Sequence, residues 1–266
     1  MLEGEIRLAE LEFMGRRIVQ MGAAWSFVQA ESGMGRFALD AIRGRVYDGG
    51  LTGRVEVEFD ARQTDYVVTV AVDGMDIEPF VNVGRHEVSR DAEPVNLRGH
   101  ADARVHLSGT VGDPTSRRGR GRIEIKDGHL FRLPIMLAIL HVINLAVPDE
   151  SAFHEASADF YFVGRRMNLE NILLRGNALA LVGSGTLMFP DLGLDLELVN
   201  VSPNRWSRIP GLTDFIEETA GELVALRVKG PLYQPRVTAK PLPGLSDEFK
   251  RLFKKKKPKK MQAPAP

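Results

Sequence analysis

His100 and His106 alternate with Asp102 and Arg104 along Ala101-Asp102-Ala103-Arg104-Val105-His106-Leu107-Ser108-Gly109, which places two imidazoles and a carboxylate on one polar strand face. Imidazole and carboxylate are the ligands of zinc and related cations, and together they can also exchange protons with a substrate. The sequence supplies no third convergent ligand, and Arg104 between the candidates opposes a cation. A solvated strand face accounts for the pattern. His86, His129, His141 and His154 are scattered without the His-Glu-x-x-His spacing of a helix-borne zinc site.

Other residues with chemical potential reduce to turns and surface in the same way. Gly33-Met34-Gly35 and Gly119-Arg120-Gly121 lack the full glycine fingerprint of a phosphate loop between strand and helix. The second lies within a basic run of Arg117, Arg118, Arg120 and Arg122, a turn able to touch phosphate headgroups or simply to stay solvated. Ser184 between Gly183 and Gly185 lacks the Gly-x-Ser-x-Gly elbow of a hydrolase nucleophile. Glu56 and Glu58 alternate on an outer face, where wetting explains them without a glycosidase pair. With no catalytic constellation, the chain reads as non-enzymatic, with neither cofactor nor metal.

The elements that carry these residues are strands. Leu51-Thr52-Gly53-Arg54-Val55-Glu56-Val57-Glu58-Phe59 alternates apolar and polar residues, so it buries one sheet face and wets the other. Comparable runs occupy Gly4 to Phe13, Gly35 to Tyr47, Tyr66 to Val72, Gly119 to Lys126, Ala158 to Val163, Met167 to Leu174, Ala178 to Phe189, Leu192 to Val201, Glu222 to Gly230 and Arg236 to Lys240. Ile18 to Ala30 is apolar but ambiguous. Turns are expected at Asp48-Gly49-Gly50, Asp73-Gly74, Gly112 to Ser116 and Asp127-Gly128, and their spacing reads as an antiparallel meander. Met75 to Val81 reads as a short helical or irregular connection and Gly84 to Leu97 as a loop.

Helices are expected where the period of two lapses. Leu133 to Val147 is a greasy segment with Pro134 suited to a first turn, too short to cross a membrane comfortably and placed to cover a sheet. A short capped helix is expected over Gly211 to Ala220. Phe249, Leu252 and Phe253 fall at helical spacing before a lysine-rich, proline-punctuated end.

The chain has 266 residues, is 44% hydrophobic and 26% charged, and lacks cysteine. This composition suits a globular protein with a sizeable core and excludes disulfides and thiolate sites. No run approaches the roughly 20 apolar residues of a membrane helix, and the first residues lack the pattern of a secretory signal. The formal charge is zero, yet Lys250, Arg251, Lys254, Lys255, Lys256, Lys257, Lys259 and Lys260 form an acid-free tail, leaving 27 basic against 35 acidic residues elsewhere. Such a tail suits an anionic membrane surface at about 1 kcal/mol per residue, or solvent. It lacks the interleaved aromatics of a nucleic-acid binder.

The order of motifs resembles the C-terminal region of AsmA-like proteins, a group of bacterial envelope proteins that includes TamB. The resemblance runs through Gly121-Arg122-Ile123-Glu124-Ile125-Lys126-Asp127-Gly128-His129-Leu130-Phe131-Arg132-Leu133-Pro134, the greasy segment after it, and the Gly-x-Gly strand at Ala178 to Phe189. It continues in Phe153 to Arg165, in Ile209-Pro210-Gly211 with the short helix after it, and in Leu226-Arg227-Val228-Lys229-Gly230-Pro231-Leu232-Tyr233-Gln234-Pro235-Arg236-Val237. Val46-Tyr47-Asp48-Gly49-Gly50-Leu51-Thr52-Gly53 is similar to the family's recurrent turn. Together these cover about residues 40 to 242.

The resemblance implies a mainly β fold: a long curved antiparallel sheet forming a groove, with one or two short apolar helices covering it. It further implies a periplasmic, membrane-associated protein that binds or transfers lipid and supports outer-membrane assembly. Expected partners are phospholipid acyl chains, an anionic membrane surface and other envelope proteins, but not nucleic acid. The expected groove residues are Val55, Val57, Phe59, Val105, Leu107, Ile123, Ile125, Leu179, Leu181, Leu187, Leu194, Leu196 and Leu198, with core packing the competing role for each. The fold is expected to fill residues 1–245, with residues 246–266 as a basic amphipathic tail. Because the family's N-terminal membrane helix has no counterpart here, the chain is expected to be the C-terminal part of a longer protein or to reach the envelope another way. The competing function is a scaffold β-sandwich that recruits another envelope protein.

Overall fold

The computed structural model describes residues 1–13, 15–88, 94, 96–130, 134–142, 153–177, 180–201, 225–232 and 234–240. The strands are β1 (Leu2–Phe13), β2 (Arg16–Gln29), β3 (Gly35–Val46), β4 (Gly49–Phe59), β5 (Thr64–Asp76), β6 (His100–Thr110), β7 (Asp113–Lys126), β8 (Glu155–Val163), β9 (Arg166–Arg175), β10 (Ala180–Met188), β11 (Gly193–Val201), β12 (Ala225–Pro231) and β13 (Arg236–Lys240). Helix α1 (Ile77–Val88) follows β5, and α2 (Pro134–Val142) follows β7. All described strands form one antiparallel sheet in chain order, and it does not close into a barrel. The meander read from the turn spacing is therefore correct, and Ile18 to Ala30 belongs to it as β2.

Several turns differ from expectation for physical reasons. The β3–β4 hairpin closes at Tyr47 and Asp48, both at positive φ (45° and 64°), a left-handed pair whose twist matches that of the strands. Gly49 pairs with Val46 and begins β4 instead of turning, and it must be glycine there because a Cβ would meet the Met75 backbone at 2.6 Å. Asp73 and Gly74 do not end β5. They form a bulge between Val72 and Met75, with Gly74 at φ 67° and its N–H donated to Asp102 Oδ1 at 2.8 Å.

Only Val111 and Gly112 turn between β6 and β7, and β7 starts at Asp113. Pro114 is tolerated there because β8 pairs with β7 only from Arg118 onward. Helix α1 extends through Val88, so Gly84 to Val88 are helical rather than loop. Residues 131–133 and 143–150 lie outside the described residues, as do the expected helices at 211–220 and 249–253 and the whole lysine tail.

Strand curvature comes from further bulges, at Gln20, Ala41 and Asn171, each a non-glycine residue at positive φ beside a register shift. The largest buried cluster lies on one sheet face near the ends of the strands, and Ala180, Val182, Val199, Val201 and Ala225 are buried on the other face of β10 to β12. In the cluster, Leu97, Leu130, Met136, Ile139 and Phe153 bury against Leu181, Leu198, Leu226 and Val228. Helix α2 places Met136 and Ile139 in this core and leaves Leu137 exposed. No helix among the described residues is long and apolar enough to cross a membrane.

Candidate functional site

Cross-strand register joins the alternating strands into one face. A single row runs Gly4, Trp25, Leu39, Val55, Val68, Leu107, Gly119, Phe162, Met167, Leu187, Leu194 and Gly230, from β1 to β12. The next row runs Ile42, Gly53, Val70, Val105, Gly121, Phe160, Leu169, Gly185, Leu196, Val228 and Val237, from β3 to β13. Every position in both rows is apolar or glycine. Eleven strand spacings of about 4.8 Å make the longer row on the order of 50 Å wide.

Glycines on this face lie beneath large neighbours. A Cβ at Gly4 would come within 2.7 Å of the Trp25 indole, one at Gly119 within 2.8 Å of Leu107 Cδ1, and one at Gly35 would overlap the Phe59 ring. The Phe27 and Phe59 rings stack with centroids 6.2 Å apart, on the strands either side of β3. The large side chains thus lie across the sheet rather than standing off it, which smooths the face.

The two halves of the face differ in cover. On β10 to β12 it is sealed: Leu181, Leu187, Leu194, Leu196 and Leu198 are all buried, as are Leu226 and Val228, with Leu198 1% exposed. The first five, expected as groove residues, are core and offer no open surface. Toward the N-terminal strands, Val55, Val57, Phe59, Val105, Leu107 and Ile123 are half-buried, shielded by same-face neighbours rather than incorporated in the buried core. Ile125 is also half-buried and packs against that core, and Leu179 lies outside the described residues. The face ends at Leu2, which is 62% exposed on the outermost strand.

Trp25, Phe27, Phe37, Leu39, Val68, Phe160 and Phe162 belong to the same open face although the sequence reading did not single them out. The signal was present: Phe160 and Phe162 alternate in β8 as Gly119 and Gly121 do in β7, and register sets them opposite one another.

The opposite face is largely charged and paired on β3 to β9, whereas on β10 to β12 Ala180, Val182, Val199, Val201 and Ala225 make part of it apolar and buried beside a charged group on β11 and β12. Arg36 lies 2.7 Å from Glu56, Arg54 2.9 Å from Asp40, Lys126 3.1 Å from Asp102 and Arg227 2.8 Å from Asp195. Hydrogen bonding to Arg36 holds Glu56 below the usual carboxylate range. Asp102 is low because it accepts the Gly74 N–H and then the Lys126 ammonium. Burial pushes Asp195 up, but Arg227 and Lys229 outweigh it and leave the carboxyl low. His106 sits on this face with its Nδ1 3.0 Å from Thr69 Oγ1. Among the described residues no three histidine, aspartate or glutamate side chains converge as a metal site.

No family model, curated protein or solved structure matches this chain. The site is accordingly defined by its own geometry: a wide apolar face, sealed at one end and open at the other, backed by a largely charged face.

Proposed function

We propose that this protein is a non-enzymatic lipid-binding protein that holds phospholipid acyl chains against the open half of its apolar face. The observation that carries the proposal is the unbroken apolar row from Trp25 to Phe162, which no buried layer covers among the described residues. A half-buried apolar surface of that extent, left without a covering layer among the described residues, suits an interaction surface. Acyl chains suit it because the only polar side-chain group in the rows is the Trp25 indole N–H, and each methylene removed from water contributes about 0.8 kcal/mol.

The sealed half gives the face a closed end, so a chain entering from the open end is held rather than passed through. The order of AsmA-like motifs supports a setting in the bacterial envelope, where the protein, periplasmic and membrane-associated, moves lipid in support of outer-membrane assembly. The lysine tail would meet the anionic headgroups of that membrane.

Native mass spectrometry of the full chain tests the binding. Phospholipid adducts are the expected result, removed by detergent extraction and restored by incubation with phospholipid vesicles. A chain that carries no lipid before extraction or after reloading rejects the proposal.

A second reading assigns a protein partner to the edge of the sheet. β1 is one of the two edge strands among the described residues, and Leu2–Phe13 carries no proline to blunt it. A scaffold role that recruits another envelope protein would use this edge, and the same spectra would then show a protein adduct in place of lipid.

A further inference from the structure

The polar face carries a second site that acyl-chain binding does not use. Across β5 to β9 a trench of about 670 Å³ runs between two rows of side chains. One row is Thr69, His106, Arg120 and Tyr161; the other is Ala71, Arg104, Arg122 and Asp159. Its floor is the backbone of the intervening apolar row, at Val70, Val105, Gly121 and Phe160.

The charges in this trench are set against one another. Arg104 is directly opposite Arg122, and His106 is directly opposite Arg120. Arg104 and Arg122 are like charges in directly paired positions, an arrangement that destabilises a sheet. Arg122 is compensated by Glu124 at 2.7 Å and Asp159 at 3.1 Å, and the Asn171 amide donates to Asp159 at 2.9 Å. Arg104 and Arg120 have no ion pair within 4.0 Å among the described residues, and both are exposed. They are diagonal neighbours on β6 and β7, a separation of about 7–8 Å that two long side chains span onto one tetrahedral anion.

We propose that this trench binds a phosphate-bearing ligand, with Arg104 and Arg120 taking the phosphate oxygens. Guanidinium forks match the geometry of phosphate, and an anion between them turns the cross-strand repulsion into attraction. Thr69 holds the His106 ring beside Arg120. The volume exceeds what one phosphate fills, and at the β8–β9 end Tyr161, Glu170 and Asn171 supply donors and acceptors for hydroxyl groups. The ligand class is therefore a phosphate ester with a hydroxylated body, either a free small molecule or a lipid headgroup.

Calorimetric titration of the full chain with glycerol phosphate, alongside titration with glycerophosphoglycerol, a deacylated headgroup that offers neither acyl chain nor membrane surface, separates these sources. Saturable binding to glycerol phosphate assigns the site to small soluble esters as well; binding to glycerophosphoglycerol alone assigns it to headgroups. In either case the double substitution Arg104→Gln with Arg120→Gln is expected to weaken binding by about tenfold or more, while Arg62→Gln, an exposed arginine on a distant turn, leaves it unchanged. Without ligand, Arg104→Gln alone is expected to raise the melting temperature by relieving repulsion, with the circular dichroism spectrum unaltered. Neither probe binding, binding that survives the double substitution, or an equal loss in Arg62→Gln would overturn the proposal.

Discussion

The ring of Phe160 lies across Gly121 on the neighbouring strand, so that a Cβ at position 121 would sit 2.7 Å from its Cε2. The close approach is possible because β7 offers glycine at both positions that face the β8 aromatics, Gly119 opposite Phe162 and Gly121 opposite Phe160. The Phe160 and Phe162 rings then meet edge to face at 5.8 Å.

Gly121→Val forces a branched side chain beneath this ring and against the Arg104 carbonyl. The expected cost is about 1–3 kcal/mol, the range for overpacking a well-filled site. Urea unfolding followed by tryptophan fluorescence measures it. An unchanged midpoint would mean that the ring does not occupy this position.

The open and sealed halves of the apolar face should respond differently to substitution. Leu198→Ala, at a 1% exposed position, is expected to cost about 2–5 kcal/mol. Val57→Asp, on the half-buried N-terminal half, is expected to cost less and to reduce phospholipid retention in extracted protein. Equal stability losses from the two, with lipid content unaltered in Val57→Asp, would show that both halves are ordinary core.

The Gly74 bulge is held by one carboxylate. Asp102→Ala removes the acceptor of the Gly74 N–H and the partner of Lys126, with an expected cost of about 1 kcal/mol. Gly74→Ala places a Cβ at φ 67° and should cost about as much through backbone strain. Amide hydrogen exchange at residues 72–76 should quicken in both variants, and exchange at wild-type rates there would exclude the bulge as a restrained feature.

Acid should destabilise the fold. Glu56, Asp102 and Asp195 all have carboxyl groups held below their ordinary values in the folded chain. A depressed folded-state pKa means that the unfolded chain takes up protons first as pH falls. The stabilisation is therefore complete above the ordinary carboxylate range near pH 4 and is lost as pH drops through the lower folded-state values. Thermal melts between pH 6 and pH 3 should fall steeply below about pH 4, and Asp195→Asn should lessen the slope. Stability that holds or rises across that interval contradicts these ion pairs.

Much of the sheet was legible from local pattern. The alternation of Val55, Val57 and Phe59 with Arg54, Glu56 and Glu58 places β4 with one wet face, because the strand period of two leaves no other arrangement. Where local reading erred, a long-range contact intervened. Gly49 looks like a turn glycine but is required by the Met75 backbone, and Asp73-Gly74 looks like a hairpin but is a bulge tied to Asp102. Arg120 and Arg122 were read as part of a basic turn but lie within β7, and only the β6–β7 register sets Arg104 against Arg122 and His106 against Arg120.

Residue order alone determines that the strands are amphipathic and follow one another as a meander, since side-chain alternation and turn residues act over a few positions. Leu196 and Val57 carry the same local signature of an apolar residue between charged neighbours. Their fates diverge only in the folded chain, where Leu196 is sealed in the core and Val57 remains half-buried on the open half. Burial depends on which segments, distant in sequence, come to rest over each row. Tertiary packing thus decided where the core stops and the candidate binding surface begins.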